Sequence, residues 1–165
     1  MLLFIGCYRD LTQRIAADRR ERNHAIEPNS LAWLKRAATW ESFSELHGFV
    51  IDGARAARLA DDKLWKLELV VEELVTNVIR HGYPPGESGV VRVGYSANLT
   101  GEFLVQIRSG GLAFNPLLKD NPDPIVDIAH RSVGGLGIYL VKSIIDEIDY
   151  NHSEGINIIS FRIRI

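Results

Sequence analysis

Between Asp61 and Gly82 the apolar residues Leu64, Leu67, Val71, Leu74, Val75 and Val78 recur at intervals of three and four, the spacing that lays one stripe of a helix against a core. The pattern predicts a helix with Asp61 or Asp62 as its cap and Gly82 at its end, ahead of Pro84-Pro85. Phe43, Leu46, Phe49, Val50 and Ala54 repeat in the same way and predict a preceding helix over 41–59. After Gly89 the period changes. Val91, Val93 and Tyr95 alternate with Arg92 and Gly94, which predicts a strand over 89–98 with one buried and one wetter face. A second strand over 103–108 follows, the two joined by a hairpin at Leu-Thr-Gly-Glu. Leu31 to Ala38 reads as a first strand with poor alternation. Ile138, Val141, Ile144, Ile145 and Ile148 predict a helix over 138–148, all five turned inward. Residues 149–152 and 157–165 are expected to close the sheet around Glu154-Gly155. Helices gathered on one face of a mixed, mostly antiparallel sheet make an α+β two-layer sandwich.

Composition fits one compact body. The chain has 165 residues, 46% hydrophobic and 24% charged, which are values of a globular domain with enough length for a two-layer core. A formal net charge of −2 provides no basic footprint for nucleic acid, so no direct nucleic-acid partner is expected. Cys7 is the only cysteine, so an intramolecular disulfide is ruled out. No apolar run reaches the length of a membrane span, and the apolar start at Met1 lacks the basic flank of an export signal. The expected location is cytoplasmic, with no membrane partner.

The chemistry begins on the 61–82 helix. Glu73, Asn77 and His81 are spaced four apart, so a carboxylate, a carboxamide and an imidazole project as one polar stripe. Alone, such a stripe is the ordinary wet side of a helix. Gly134-Gly135-Leu136-Gly137 precedes the last helical pattern; a glycine-rich turn entering a helix offers unpaired N–H groups and the positive end of the dipole, where phosphate binds. Asn77 supplies a hard oxygen for a cation and Glu73 a base or orienting carboxylate. Together the two halves suit a magnesium polyphosphate.

The order of these pieces resembles the GHKL ATPase superfamily, and within it the anti-sigma-factor serine kinases of bacterial partner-switching systems. Glu73-Leu-Val-Thr-Asn77 followed by His81-Gly82-Tyr83 is similar to the family's N box. Gly111-Leu-Ala-Phe114-Asn115-Pro116 is similar to the end of its first glycine box. Arg131-Ser-Val-Gly-Gly-Leu-Gly-Ile138, with Leu140-Val141 and Asp146, is similar to the second. The resemblance runs from about Ser30 to the C-terminus and implies a Bergerat-type ATP-binding fold over 30–165. It implies ATP and magnesium (Mg2+) as cofactors, Glu73 as the catalytic carboxylate and Asn77 as the metal ligand. Nucleotide contacts would fall on Asn77, His81, Ser109, Gly111, Phe114, Arg131, Gly134, Gly135, Leu136 and Gly137. The implied activity is a serine/threonine protein kinase that phosphorylates a small anti-anti-sigma-factor (STAS-type) domain and alternates between that partner and a sigma factor. A partner-binding switch that kept the fold but lost the chemistry is the alternative.

This sequence departs from the family at one position. The family's first glycine box begins with an Asp that receives the adenine amino group, two residues before the glycine at Gly111. Here that place holds Ser109. A serine hydroxyl still accepts one hydrogen bond but carries no charge, and the difference of roughly 1 kcal/mol weakens adenine binding about fivefold to tenfold. Asn157 and Ser160 on the last strand are the other groups that could read the purine.

Residues 1–29 lie outside the resemblance. Arg14 to Arg22 is densely charged and Pro28-Asn29-Ser30 marks a break, so these residues read as an arm, either loosely attached or packed on the mate in a homodimer. Residues 117–133 form a connection long enough to be a lid over the nucleotide. The five histidines are dispersed and no second cysteine is present, a poor pattern for structural zinc. Tyr83, Tyr95, Tyr139 and Tyr150 are expected at core edges.

Overall fold

The computed structural model describes residues 31–87, 89–97, 101–118, 135–145 and 147–165. The chain divides into two units, Met1–Leu31 and Ala32–Ile165, and the second carries every element described below. The arm over 1–29 and most of the expected lid lie outside the described residues.

The element order is β1 (Ala32–Ala37), α1 (Trp40–Ala56), α2 (Asp61–His81), β2 (Val90–Ala97), β3 (Glu102–Ser109), a 3-10 turn at Pro116–Leu118, α3 (Gly135–Ile144), β4 (Glu147–Ser153) and β5 (Ile156–Arg164). The strands form one sheet in the order β1-β2-β3-β5-β4. Its four pairings are all antiparallel, so the sheet is antiparallel throughout and not mixed. This is the α+β two-layer sandwich that the pattern predicts.

One layer of helices covers one face of the sheet. Leu46, Val50 and Ile51 of α1, Leu67, Val71, Leu74 and Val75 of α2, and Ile138 and Val141 of α3 pack into a single cluster with Val91, Val93, Phe103, Val105, Ile107, Ile159 and Phe161 of the sheet. Burial of these side chains, about 1.5–3 kcal/mol each, is the main force holding the layers together. Close approach requires glycine at Gly53 of α1, where a Cβ would overlap the Tyr95 ring.

Local chemistry sets the turns. Glu154 (φ 54°) and Gly155 (φ 75°) both adopt the left-handed conformation between the paired Ser153 and Ile156, a two-residue loop whose twist matches the flanking strands. Helix α1 ends through Arg58, also left-handed at φ 60°, with Leu59 N–H donating to Ala54 O at 3.0 Å and Arg58 N–H to Arg55 O at 3.0 Å. That is a Schellman closure with arginine in glycine's usual place.

Three expectations are corrected. Asp61 and Asp62 do not cap α2: the cap residue is Ala60, whose extended backbone makes no side-chain bond, and both aspartates sit inside the first turn, where their charge faces the helix dipole. Helix α3 stops at Ile144, and Ile148 belongs to β4, where it pairs with Phe161; an apolar residue at helical spacing was also in phase with a strand. Tyr139 is exposed, whereas Tyr83, Tyr95 and Tyr150 pack at the edge of the core.

Candidate functional site

The amphipathic character of α2 positions the polar stripe. With Val70, Leu74 and Val78 buried, Glu73 and Asn77 fall at the flank of the buried face and are half-buried, while His81 is exposed in the last turn. Asn77 Nδ2 donates to Glu73 O at 2.8 Å and Thr76 Oγ1 donates to the same carbonyl at 3.2 Å. Only the amide nitrogen can donate, so this bond fixes the orientation of the carboxamide. Oδ1 remains without a hydrogen bond among the described residues.

The Glu73 carboxylate lies against the first turn of α3. A Cβ at Gly137 would overlap it, so glycine there is what allows the two helices to meet at this point. The first turn of α3 contains no acidic residue of its own, and among the described residues Glu73 is the carboxylate that meets it. Burial, and then the charge of Glu72, push the Glu73 carboxyl above its ordinary value, with Arg80 opposing. A half-buried carboxyl with this shift is a stronger base than an exposed one.

The other glycine-rich turn is tied to the end of α2. Leu112 N–H donates to Gly82 O at 3.3 Å, and Gly111 has φ +90° with no room for a Cβ against Gly82 O. Tyr83 locks the same corner: its hydroxyl donates to Val90 O at 2.6 Å and accepts from Val90 N–H at 3.0 Å. Ser109 ends β3, is buried, and pairs with Val91 on one side and Asn157 on the other. Because opposed residues share a face, it points toward the helix layer as Val91 does.

Asn157 holds the turn beyond Ser109. Its Oδ1 accepts from Phe114 N–H at 3.2 Å and from the Tyr150 hydroxyl at 2.7 Å, and its Nδ2 donates to Leu112 O at 3.0 Å. Phe114 is therefore placed by its backbone. Asn157 is committed to the scaffold and is a poor reader of a purine. Ser160 lies on the opposite face, paired with Gln106, whose Nε2 donates to its hydroxyl at 2.9 Å. That placement removes Ser160 from the set of purine readers. The sequence pattern gave no sign of Asn157 as an anchor, since its three bonds span more than 40 residues or a hairpin.

The structure thus brings together Glu73, Asn77 and Gly137, joins Gly111 to the end of α2, and places Phe114 and Ser109 beside Asn157. His81 extends the stripe on the exposed side. Gly135 and Leu136 open α3. Arg131 and Gly134 lie outside the described residues, as does Asp146.

The histidine kinase-like ATPase domain family matches residues 37–163. The chain belongs to that family. Among its relatives, the serine-protein kinase RsbW of Bacillus mycoides (strain KBAB4) is 27% identical over 106 residues, 61% of this chain and 64% of that protein. The protein of the same name from Bacillus cereus (strain AH187) is 29% identical over 110 residues, 64% of this chain and 68% of that protein. The match therefore spans about two thirds of those relatives' length. A crystal structure of the RsbU and RsbW domains of Rv1364c from Mycobacterium tuberculosis is similar with a TM-score of 0.54 at 15% identity, covering 81% of this chain and 32% of that one; it shows a shared fold. The polar stripe of α2 and the start of α3, where Gly137 meets Glu73, lie on the helix-covered side of the sheet. No helix among the described residues is long and apolar enough to cross a membrane.

Proposed function

We propose that this domain is an ATP-dependent serine protein kinase of the anti-sigma-factor type, which transfers the γ-phosphate of magnesium-ATP to a serine of an anti-anti-sigma-factor (STAS-type) partner. The observation that carries this reading is the contact of the Glu73 carboxylate with Gly137, one helical turn from an Asn77 amide whose oxygen is left as an acceptor. The RsbW names of the relatives agree with it.

A hard cation suits the free oxygen of Asn77. In phosphoryl transfer magnesium commonly completes its shell with phosphate and water, so Asn77 alone would suffice as its protein ligand. When bound, the cation neutralises charge on the phosphates. The N–H groups at the start of α3 hold phosphate oxygens. Ser109 receives the purine at the end of β3, and the Gly111–Phe114 turn bounds it. Glu73 takes the proton of the acceptor hydroxyl as that oxygen bonds to the γ-phosphorus and the bond from phosphorus to the β–γ bridging oxygen breaks, releasing ADP. Its raised pKa suits it to the task.

The alternative, a partner-binding switch without chemistry, is favoured by Ser109 alone, where an uncharged group stands at the purine end. Transfer of labelled γ-phosphate to a purified STAS-type substrate, with wild type and Glu73→Gln compared, separates the two. Labelled substrate with the wild type and a strong loss in the variant supports the kinase. ATP binding without transfer supports the switch.

A further inference from the structure

The face of the sheet away from the helices carries a row of three cations. Lys35 of β1 is directly opposite Arg92 of β2, and Arg92 is directly opposite Arg108 of β3. Their neighbours Val91, Val93 and Ile107 are in the helix-covered core, so the three cations share the other face. Directly opposed residues sit about 5 Å apart at Cβ, and like charges in that relation destabilise a sheet. No carboxylate is within ion-pair distance of any of the three among the described residues. The row occurs in a chain whose formal net charge is −2, so a general excess of basic residues does not explain it.

The row is also held in place. Arg108 Nε donates to Gln106 Oε1 at 2.7 Å, and Gln106, itself buried, is tied to Ser160. The Arg108 guanidinium lies 4.8 Å from the centre of the Trp33 ring, and Trp33 lies over Gly94, where a Cβ would leave it no room. These contacts fix the direction of one guanidinium without neutralising it. Burial, and next the charge of Arg92, lower the Arg108 pKa, the effect expected of an unrelieved cation pair. Lys35, Arg92 and Arg108 line an open cavity of about 330 Å³ together with Tyr83, Val90, Ser109, Gly110 and Ile156.

We propose that this cavity binds a multivalent oxyanion of the phosphate class, either free phosphate or a phosphomonoester on a protein side chain. Three cations in direct register, one guanidinium pre-oriented and no counter-ion among the described residues, meet the need of a compact dianion for several charged donors from one side. The three cations lie on the other face of the sheet from Glu73 and Asn77, while the cavity reaches Ser109 at the end of β3; the ATP arm of the test below distinguishes the two sites.

The test is thermal unfolding of the full chain at low ionic strength, with inorganic phosphate, a phosphoserine peptide, or sodium chloride at matched ionic strength. Wild type should melt about 3 °C or more higher in phosphate than in chloride; the peptide arm shows whether an esterified phosphate is also accepted. Arg92→Gln should lose the phosphate-specific gain, keep its response to magnesium-ATP, and melt slightly higher than wild type without phosphate because the repulsion is relieved. Lys35→Gln should behave alike in weaker form. Equal shifts in phosphate and chloride for the wild type, or a phosphate gain retained in Arg92→Gln, would overturn the proposal. So would loss of the phosphate and ATP responses together, which would place both ligands in one site. A wild type that ignores ATP but responds to phosphate contradicts the kinase reading and leaves this site standing.

Discussion

Two asparagines show how this domain separates scaffold from site. Asn157 spends its carbonyl oxygen on Phe114 N–H and the Tyr150 hydroxyl and its amide on Leu112 O, and it is buried. Asn77 is half-buried and makes one such bond, from Nδ2 to Glu73 O. The first amide is bonded at both ends and closes a turn. The second is held by its nitrogen with its oxygen available. Under the proposed function, the half-used carboxamide of Asn77 is where the cation would complete the set.

The largest expected effect is on chemistry beside Asn77. Glu73→Gln should cut phosphoryl transfer by roughly 100-fold or more while leaving ATP affinity within a few-fold, measured by single-turnover transfer and by equilibrium binding. The pH profile sharpens this. Because the Glu73 pKa is raised, wild-type transfer should rise with pH through an ionisation above the ordinary carboxylate value, and that limb should vanish in the variant. The same shift carries a stability consequence of definite sign: a carboxyl with a raised folded pKa favours the fold below its unfolded value, and that contribution is lost as pH rises through the folded one. Glu73→Gln should therefore be slightly more stable than wild type at neutral pH by urea unfolding. A less stable variant would mean that the carboxylate anchors α3 electrostatically.

Next in size is the cost of removing the scaffold amide. Asn157→Ala removes the bonds to Phe114 N–H, Leu112 O and the Tyr150 hydroxyl in a part-buried turn and should lower stability by roughly 1.5–3 kcal/mol. Asn77→Ala should cost less than about 1 kcal/mol, since Glu73 O also accepts from the Thr76 hydroxyl. Equal losses in the two variants would erase the distinction between them.

The smallest expected effect tests the purine end. Ser109→Asp should tighten ATP several-fold and increase discrimination against GTP, whose ring oxygen would face a negative charge. Weaker ATP binding in that variant would mean that the buried end of β3 cannot accommodate a charge, or that the purine is read elsewhere.

The sequence made much of this visible, because the decisive signals are local. The 61–82 periodicity, the Glu73–Asn77 spacing and the Glu154-Gly155 hairpin each depend on a few consecutive residues, and each stands as expected. Ile148 misled because its position suits both a 3.6-residue and a two-residue period at the junction of α3 and β4. Asp61 and Asp62 suit a cap by residue type, but Ala60 takes the extended conformation. The anchor at Asn157 and the row Lys35-Arg92-Arg108 could not be read in advance. Both depend on strand register between segments far apart in the chain, and register follows from the packed core, not from local pattern.

The most direct test of the site is calorimetric titration of ATP, with and without magnesium, into wild type and Asn77→Ala. Wild type should bind ATP more tightly with magnesium, and Asn77→Ala should keep the magnesium-free affinity and lose the gain. No heat or thermal shift at millimolar ATP, or the same magnesium dependence in both proteins, would contradict the role given to the free oxygen of Asn77.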